Sequence, residues 1–351
     1  MTADSAEPTP DTPTPTTPDD ASISAHDTTP DTGSTSAPAA PHDGSTSDDS
    51  THETRWTRRG SFTFITVIYV LAIGAFVAGA AAVGVDQPEW AIVVGYLCST
   101  AVLYVASQIV GNGSTFDPWW SVIPPAAAAW LMIVADHAGD AGLTVAVRWV
   151  ALVLVLAWGA RLTGNWALST TGLDHEDWRY RQLYEQMPTP RWLTSLLTVH
   201  LFPTVTVAVA SLPMVAVFTR SDDSTGWPTG GTVLFVLGAL VTAGAILIEH
   251  LADVELRAFN RRKQPGDIID TGWWGRSRHP NYLGEMGFWW GLGLMALAVD
   301  TGAWWTLVGP LVITVMFLTA SIPLLETRSA ERRPGWDAYA ARVPKLLPRL
   351  R

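Results

Sequence analysis

Long runs without a charged residue constrain this chain more than any other feature. An apolar helix needs about 20 residues to cross the hydrocarbon core, where only intramolecular hydrogen bonds satisfy the backbone. Eight stretches after Trp56 meet that requirement, at approximately 62–85, 89–110, 118–136, 143–167, 192–218, 230–252, 282–299 and 302–325. They predict an all-α fold, a polytopic transmembrane helix bundle of about eight spans. Pro124 and Pro125 predict a kink in the third span, and Gly287, Gly291 and Gly293 suit the seventh to close helix contact.

The positions of Lys and Arg test this span count independently, because loops on the cytoplasmic side hold an excess of both. With eight spans, 20 of the 22 basic residues fall on one side, leaving Arg148 and Arg220 on the other. Both termini are then expected in the cytoplasm. Tryptophans cluster near span ends, as at Trp119-Trp120, Trp273-Trp274 and Trp304-Trp305, where they read as interfacial anchors. The Trp289-Trp290 pair lies deeper and can pack inside the bundle instead.

Residues 1–54 are a different material. They hold 11 of the 32 acidic residues and none of the 22 Lys or Arg, so this segment carries −11 against a chain total of −10. Built from Thr, Ser, Pro, Asp and Ala, it cannot bury enough apolar surface to offset its ordering entropy. It is expected to be a disordered acidic tail ahead of a membrane domain at 55–351. It has no charged start followed by an apolar stretch and a small-residue cleavage site, so it does not read as a secretory signal. The single cysteine, Cys98, excludes disulfides and cysteine-built metal or iron–sulfur centres.

Ionisable residues within or beside a span are costly and point to function. The end of the sixth span carries Glu249, Asp253 and Arg257 at i, i+4 and i+8, one stripe of a helix. The stripe is either an intrahelical ion ladder or part of a site. Downstream, Asn281 and Glu285 share a face of the seventh span, and Pro280 suits its first turn. Arg276, Arg278 and His279 then precede a helix N-terminus, where free N–H groups and the dipole favour an anion. These cations read equally as a phosphate cradle or as positive-inside residues that snorkel.

The string Ser277-Arg278-His279-Pro280-Asn281-Tyr282-Leu283-Gly284-Glu285 follows Thr271-Gly272-Trp273 and runs into a Trp-rich span. It resembles the C-terminal signature of the steroid 5-alpha-reductase-like superfamily, and most of all its bacterial branch of membrane proteins carrying a domain of unknown function. Trp158-Gly159-Ala160-Arg161, Glu176-Asp177-Trp178-Arg179-Tyr180, the segment 249–259 and the C-terminal Leu325-Glu326, Arg333-Pro334-Gly335 and Tyr339 fit the same branch. The resemblance spans roughly residues 90–350. It implies an NADPH-dependent reductase of a lipophilic, isoprenoid or sterol-like, unsaturated substrate, with the cofactor-binding part at about 158–351 and a bacterial plasma membrane as its location. By position, Asp253, Arg257, Asn281, Tyr282, Glu285 and Tyr339 become expected cofactor contacts; the phosphate argument adds Arg276, Arg278 and His279.

Reducing an activated C=C bond also needs a group that polarises a carbonyl or delivers a proton. The polar candidates in the N-terminal half are Tyr104 and Asp117; the first reads alternatively as a packed aromatic and the second as a helix cap. A competing resemblance is to isoprenylcysteine carboxyl methyltransferases, which share an Arg-His-Pro-x-Tyr-x-Gly string and bind S-adenosylmethionine. A membrane scaffold that keeps a pocket without turnover is a third reading. No Gly-x-Gly-x-x-Gly follows a strand and no phosphate-binding loop is present. Basic residues spread over loops on one membrane face give no sign of nucleic-acid binding, and no protein partner is identifiable.

Overall fold

The computed structural model describes residues 56–135, 142–219 and 230–348. The expected disordered tail lies outside the described residues. In chain order the helices are α1 (Arg58–Val83), α2 (Pro88–Val110), α3 (Trp119–Val134), α4 (Gly142–Ser169), α5 (Trp178–Gln186), α6 (Arg191–Thr219), α7 (Gly231–Asn260), α8 (Pro280–Val299), α9 (Thr301–Arg332) and α10 (Trp336–Arg342). All eight apolar stretches are helical, and the fold is all-α among the described residues.

Six of these helices, α1, α2, α4, α6, α7 and α9, are long and apolar enough to cross a membrane. Helices α3 and α8, which the sequence reading counts among about eight spans, are not among these six candidates. Helix α3 has 16 residues, a length of about 24 Å against a hydrocarbon core of about 30 Å. Helix α8 carries Glu285 and several glycines and tryptophans, and most of its surface is covered by protein. It therefore needs no apolar face for lipid. By contrast α7 exposes Val233, Val236, Leu237, Leu240 and Leu247, as expected of a helix that faces acyl chains.

Close approach between helices comes from glycines. In the α1–α2 hairpin, a Cβ on Gly79 would stand 2.7 Å from Cys98 Sγ and one on Gly95 would stand 2.6 Å from the Phe76 ring. Between α7 and α8, a Cβ on Gly284 would meet Glu249 Cβ at 2.6 Å and Ala245 O at 2.7 Å. Gly287 lies on the same seam against Ala245, and Gly291 against Thr242, while Gly293 packs on Leu307. Dispersion between backbones drives such contacts where lipid removes the hydrophobic incentive. Pro124 and Pro125 both sit inside α3, where Pro125 packs against Gly159 of α4.

Helix α6 contains a π-helical stretch at Ser195–Leu201 and α9 another at Phe317–Ser321. Trp289 is fully buried and forms an aromatic cluster with Trp158 and Phe288, the latter two stacked at 4.4 Å. Its neighbour Trp290 is partly exposed and donates to Thr314 at 2.9 Å. The bundle-packing reading thus holds for the first of the pair.

Candidate functional site

Helices α4, α7 and α8 meet around one buried ionic cluster. Its centre is Arg161 of α4, whose side chain is only 8% exposed. Nη1 donates to Asp253 Oδ2 at 2.7 Å, and Nη2 lies 2.6 Å from Glu249 Oε1, close but off the hydrogen-bond direction. One turn further along each helix, Arg257 donates to Asn165. The i, i+4, i+8 stripe on α7 is therefore not an intrahelical ladder. It faces a matching stripe, Arg161 and Asn165, on α4.

Glu285 of α8 completes the cluster. Its carboxyl accepts the indole N–H of Trp158 at 2.9 Å and that of Trp289 at 3.0 Å. Gly284 seats the start of α8 directly against Glu249 of α7, where a Cβ would stand 2.6 Å from Glu249 Cβ. Arg161 Nε and Glu249 Oε2 are buried without a hydrogen-bond partner of ordinary donor–acceptor type. Such groups are expensive to leave unsatisfied, so the cluster is built for more than packing.

The remaining expected cofactor residues fall into two sets. Tyr282 is stacked on His279 with ring centroids 5.7 Å apart and tilted against Phe317 at 4.5 Å. Asn281 is half-buried and its amide makes no hydrogen bond within the described residues, while Arg276 is exposed and rests over the Trp273 ring at 5.9 Å. These three have polar groups to spare. Arg278, His279 and Tyr339 do not.

Arg278 Nε donates to Glu326 at 2.7 Å, and Nη1 donates to the carbonyls of Ala340 and Val343 at 2.8 and 2.7 Å. His279 Nε2 is 3.1 Å from the same Glu326 oxygen, and burial pushes its imidazole below the ordinary value despite that carboxylate. Tyr339 donates to Trp274 O at 2.7 Å, and burial pushes its phenol up to about 12. These residues tie α10 and the C-terminal segment onto the start of α8. Of the three residues expected to cradle a phosphate at that helix N-terminus, Arg278 is paired with Glu326 and His279 contacts the same oxygen, while Arg276 stays outside this set.

Tyr104 and Asp117 lie outside the cluster. Tyr104 donates to Trp192 O at 3.1 Å and packs edge-on against His200 at 5.3 Å. Asp117, half-buried just before α3, accepts a hydrogen bond from Tyr180 of α5. Burial pushes Asp117 up to about 6 against the opposing pull of Tyr180 and Arg179. Burial and the Asp117 charge raise the Tyr180 phenol well above its ordinary value. Beside them, Glu176 accepts from Gly113 N at 2.7 Å and pairs with Arg191 at 2.8 Å, fixing the turn that carries Asp117.

Sequence reasoning did not place Arg161, Trp158 or Tyr180 in a site, and it left the stripe that holds Glu249 as either an ion ladder or part of one. A signal for Arg161 was present: a lone arginine within an apolar stretch, four residues before Asn165, mirrors the spacing of Asp253 and Arg257. Nothing in sequence spacing links Tyr180 to Asp117, which are joined only by the packing of α5 against the turn before α3.

Among known proteins, an uncharacterized protein of Schizosaccharomyces pombe is 25% identical over 290 residues, covering 74% of this chain and 80% of its own length. No solved structure matches the chain significantly. With its helices, its candidate spans and a family model that matches residues 103–343, the chain is an integral multi-pass membrane protein that belongs to the family described as protein of unknown function (DUF1295).

Proposed function

We propose that the protein is a membrane-embedded NADPH-dependent oxidoreductase that reduces a C=C bond of a lipophilic, isoprenoid or sterol-like, substrate. The observation that carries this reading is the buried cluster of Arg161, Glu249, Asp253 and Glu285, with Arg161 Nε and Glu249 Oε2 unsatisfied. Ionisable groups are kept at such depth for a ligand or a proton path. The superfamily resemblance supplies the identity of the cofactor.

The residues fit such a group. Carboxylates accept hydrogen bonds from ribose hydroxyls and a carboxamide, as Asp253 and Glu249 are placed to do, while the spare amide of Asn281 and the cations Arg257 and Arg276 suit the diphosphate. When bound, NADPH supplies the hydride. The second requirement is a proton for the other carbon. Asp117, pushed up to about 6, carries a proton in part of the population near neutral pH. Tyr180 holds one of its oxygens by hydrogen bond, leaving the other to deliver that proton.

The same reading puts both termini, α5 and the turn before α8 on the cytoplasmic side, in a bacterial plasma membrane. It is supported when α3 and α8 are counted as crossing together with the six candidates, since 20 of 22 Lys and Arg residues then fall on that side. S-adenosylmethionine is the second ligand to try, since carboxylates outnumber cations in the cluster and a sulfonium is a cation. The test is a titration of detergent-purified protein with each ligand, following thermal stability, which rises when a ligand binds only the folded state. Stabilisation by NADPH is the expected result. Stabilisation by S-adenosylmethionine alone would replace reduction by methyl transfer, and a response to neither would leave a membrane scaffold.

A further inference from the structure

At the C-terminal end of α9 the structure contains a cleft of about 370 Å³ between that helix and α5. The volume falls within the range of about 300 to 1,000 Å³ typical of small-molecule sites. Each wall is one face of a helix. From α5 come Trp178, Arg181 and Glu185, at i, i+3 and i+7. From α9 come Leu324, Arg328 and Glu331, at i, i+4 and i+7, with Arg332 beside them. Both walls thus run from an apolar residue through a cation to an anion in chain order. None of the residues of α5 is fully buried, so the two charged faces hold a polar space open between them instead of packing.

The depth of the cleft is set by α9, a candidate membrane span whose apolar stretch ends at Leu325. Leu324 is exposed, as are Leu311, Val315 and Leu318 earlier on the same helix. Arg328 stands one turn beyond Leu324, and Glu331 and Arg332 follow a turn later, about 5.4 Å further on. The cleft therefore opens where acyl chains give way to headgroups. Trp178 is the aromatic type favoured at that level, and Arg328 is already engaged over one face of its indole at 3.6 Å. Arg181, Glu185, Glu331 and Arg332 are exposed and form no ion pair among the described residues.

We infer that this cleft holds the phosphoethanolamine headgroup of a membrane phospholipid. The acyl chains of such a lipid run along Leu324 and the apolar stretch before it. Its phosphate accepts charge-assisted hydrogen bonds from the arginines of both walls, and its ammonium donates to Glu185 and Glu331. The two charges of that headgroup are two carbons apart. On each wall a cation and an anion stand three or four residues apart, neighbours at about 5–6 Å between Cβ atoms. Phosphatidylglycerol brings the phosphate without a cation and leaves the glutamates facing an anion. Phosphatidylcholine brings a cation without an N–H to donate. The site is separate from the ionic cluster and does not depend on the proposed reduction.

The test titrates the full chain in detergent with dioleoyl phosphatidylethanolamine, phosphatidylglycerol and phosphatidylcholine, counts bound lipid by native mass spectrometry, and uses soluble glycerophosphoethanolamine as competitor. The wild type is expected to bind phosphatidylethanolamine at least about tenfold more tightly than either of the others. Glu185→Gln combined with Glu331→Gln should remove that preference, weakening phosphatidylethanolamine and strengthening phosphatidylglycerol. Arg181→Ala combined with Arg332→Ala should instead weaken both lipids alike. All four side chains are exposed, so the lipid-free melting temperature should stay at the wild-type value in both variants. Equal binding of the three lipids, a preference for phosphatidylglycerol, or a selectivity indifferent to both pairs of substitutions would overturn the headgroup site. Displacement of the lipid by glycerophosphoethanolamine at comparable concentration would overturn a lipid occupant in favour of a soluble ester.

Discussion

Arg161 on α4 and Asp253 on α7, 92 residues apart in the chain, join through a 2.7 Å hydrogen bond in the interior of the bundle. Two carboxylates share this one guanidinium, and a third carboxyl, Glu285, is held by two indoles. The arrangement makes Arg161 the residue on which the charge balance of the site depends.

Replacing Arg161 by alanine should therefore destabilise the protein by about 3–5 kcal/mol, since it leaves buried carboxylates without a counter-charge. Lysine should recover part of that loss but not both contacts, because an ammonium lacks the guanidinium fork. Thermal unfolding in detergent measures the difference, and an alanine variant as stable as the wild type would show that the cluster is solvated.

Stability should depend on pH through Asp117. Folding raises its carboxyl from an ordinary 3.8 to about 6, so between those values the folded chain holds a proton that the unfolded chain releases. By linkage, this contribution is complete below the ordinary value and declines as pH rises toward about 6. His279, pushed below its ordinary value by burial, acts with the opposite sign, its contribution growing as pH rises toward 6.5. The Asp117 part is isolated by comparing wild type with Asp117→Asn: the gap in melting temperature should narrow from pH 4 to 6 and be level above 7.

The same Asp117→Asn variant should lose turnover by about 10²- to 10⁴-fold, the usual weight of a general acid, with NADPH affinity unchanged. Tyr180→Phe should lower turnover less and shift the pH profile, because it orients the carboxyl without supplying the proton. Loss of cofactor affinity in either variant would move the pair from proton delivery to binding.

Gly284→Ala should cost about 1–3 kcal/mol, the range for overpacking a tight interior. The added methyl would stand 2.6 Å from Glu249 Cβ, and α8 must move away from α7 to admit it. That movement separates Glu285 from Glu249, so ligand-induced stabilisation should fall together with the melting temperature. A fall in the melting temperature alone would mean that the seam is structural only.

Arg278→Ala should release the C-terminal segment from the start of α8. Three charge-assisted hydrogen bonds are lost, to Glu326, Ala340 and Val343, and a charged donor contributes about 1.5–3 kcal/mol each. Limited proteolysis should cut between α9 and α10 far faster than in the wild type. Resistance to cleavage would show that Tyr339 alone secures α10.

The helices and the membrane character were legible in the sequence because an apolar stretch of sufficient length has few other stable forms in lipid. The interior packing of α8 was legible in part, through Gly287, Gly291 and Gly293. The polar stripe of Glu249, Asp253 and Arg257 was equally visible, since helical periodicity fixes which residues share a face. What that face meets is a different question. Arg161 could answer it only after α4 and α7 had packed with their stripes in register, and the pairing of Asp117 with Tyr180 required α5 to fold back onto the turn before α3. The same holds for Arg278: before a helix N-terminus it reads as an anion site, yet Glu326, 48 residues away, reaches it. Local sequence determines the helices and their polar faces through backbone hydrogen bonding and period. Tertiary structure alone decides which face neutralises which, because charge pairing depends on distances of a few ångströms between segments remote in the chain.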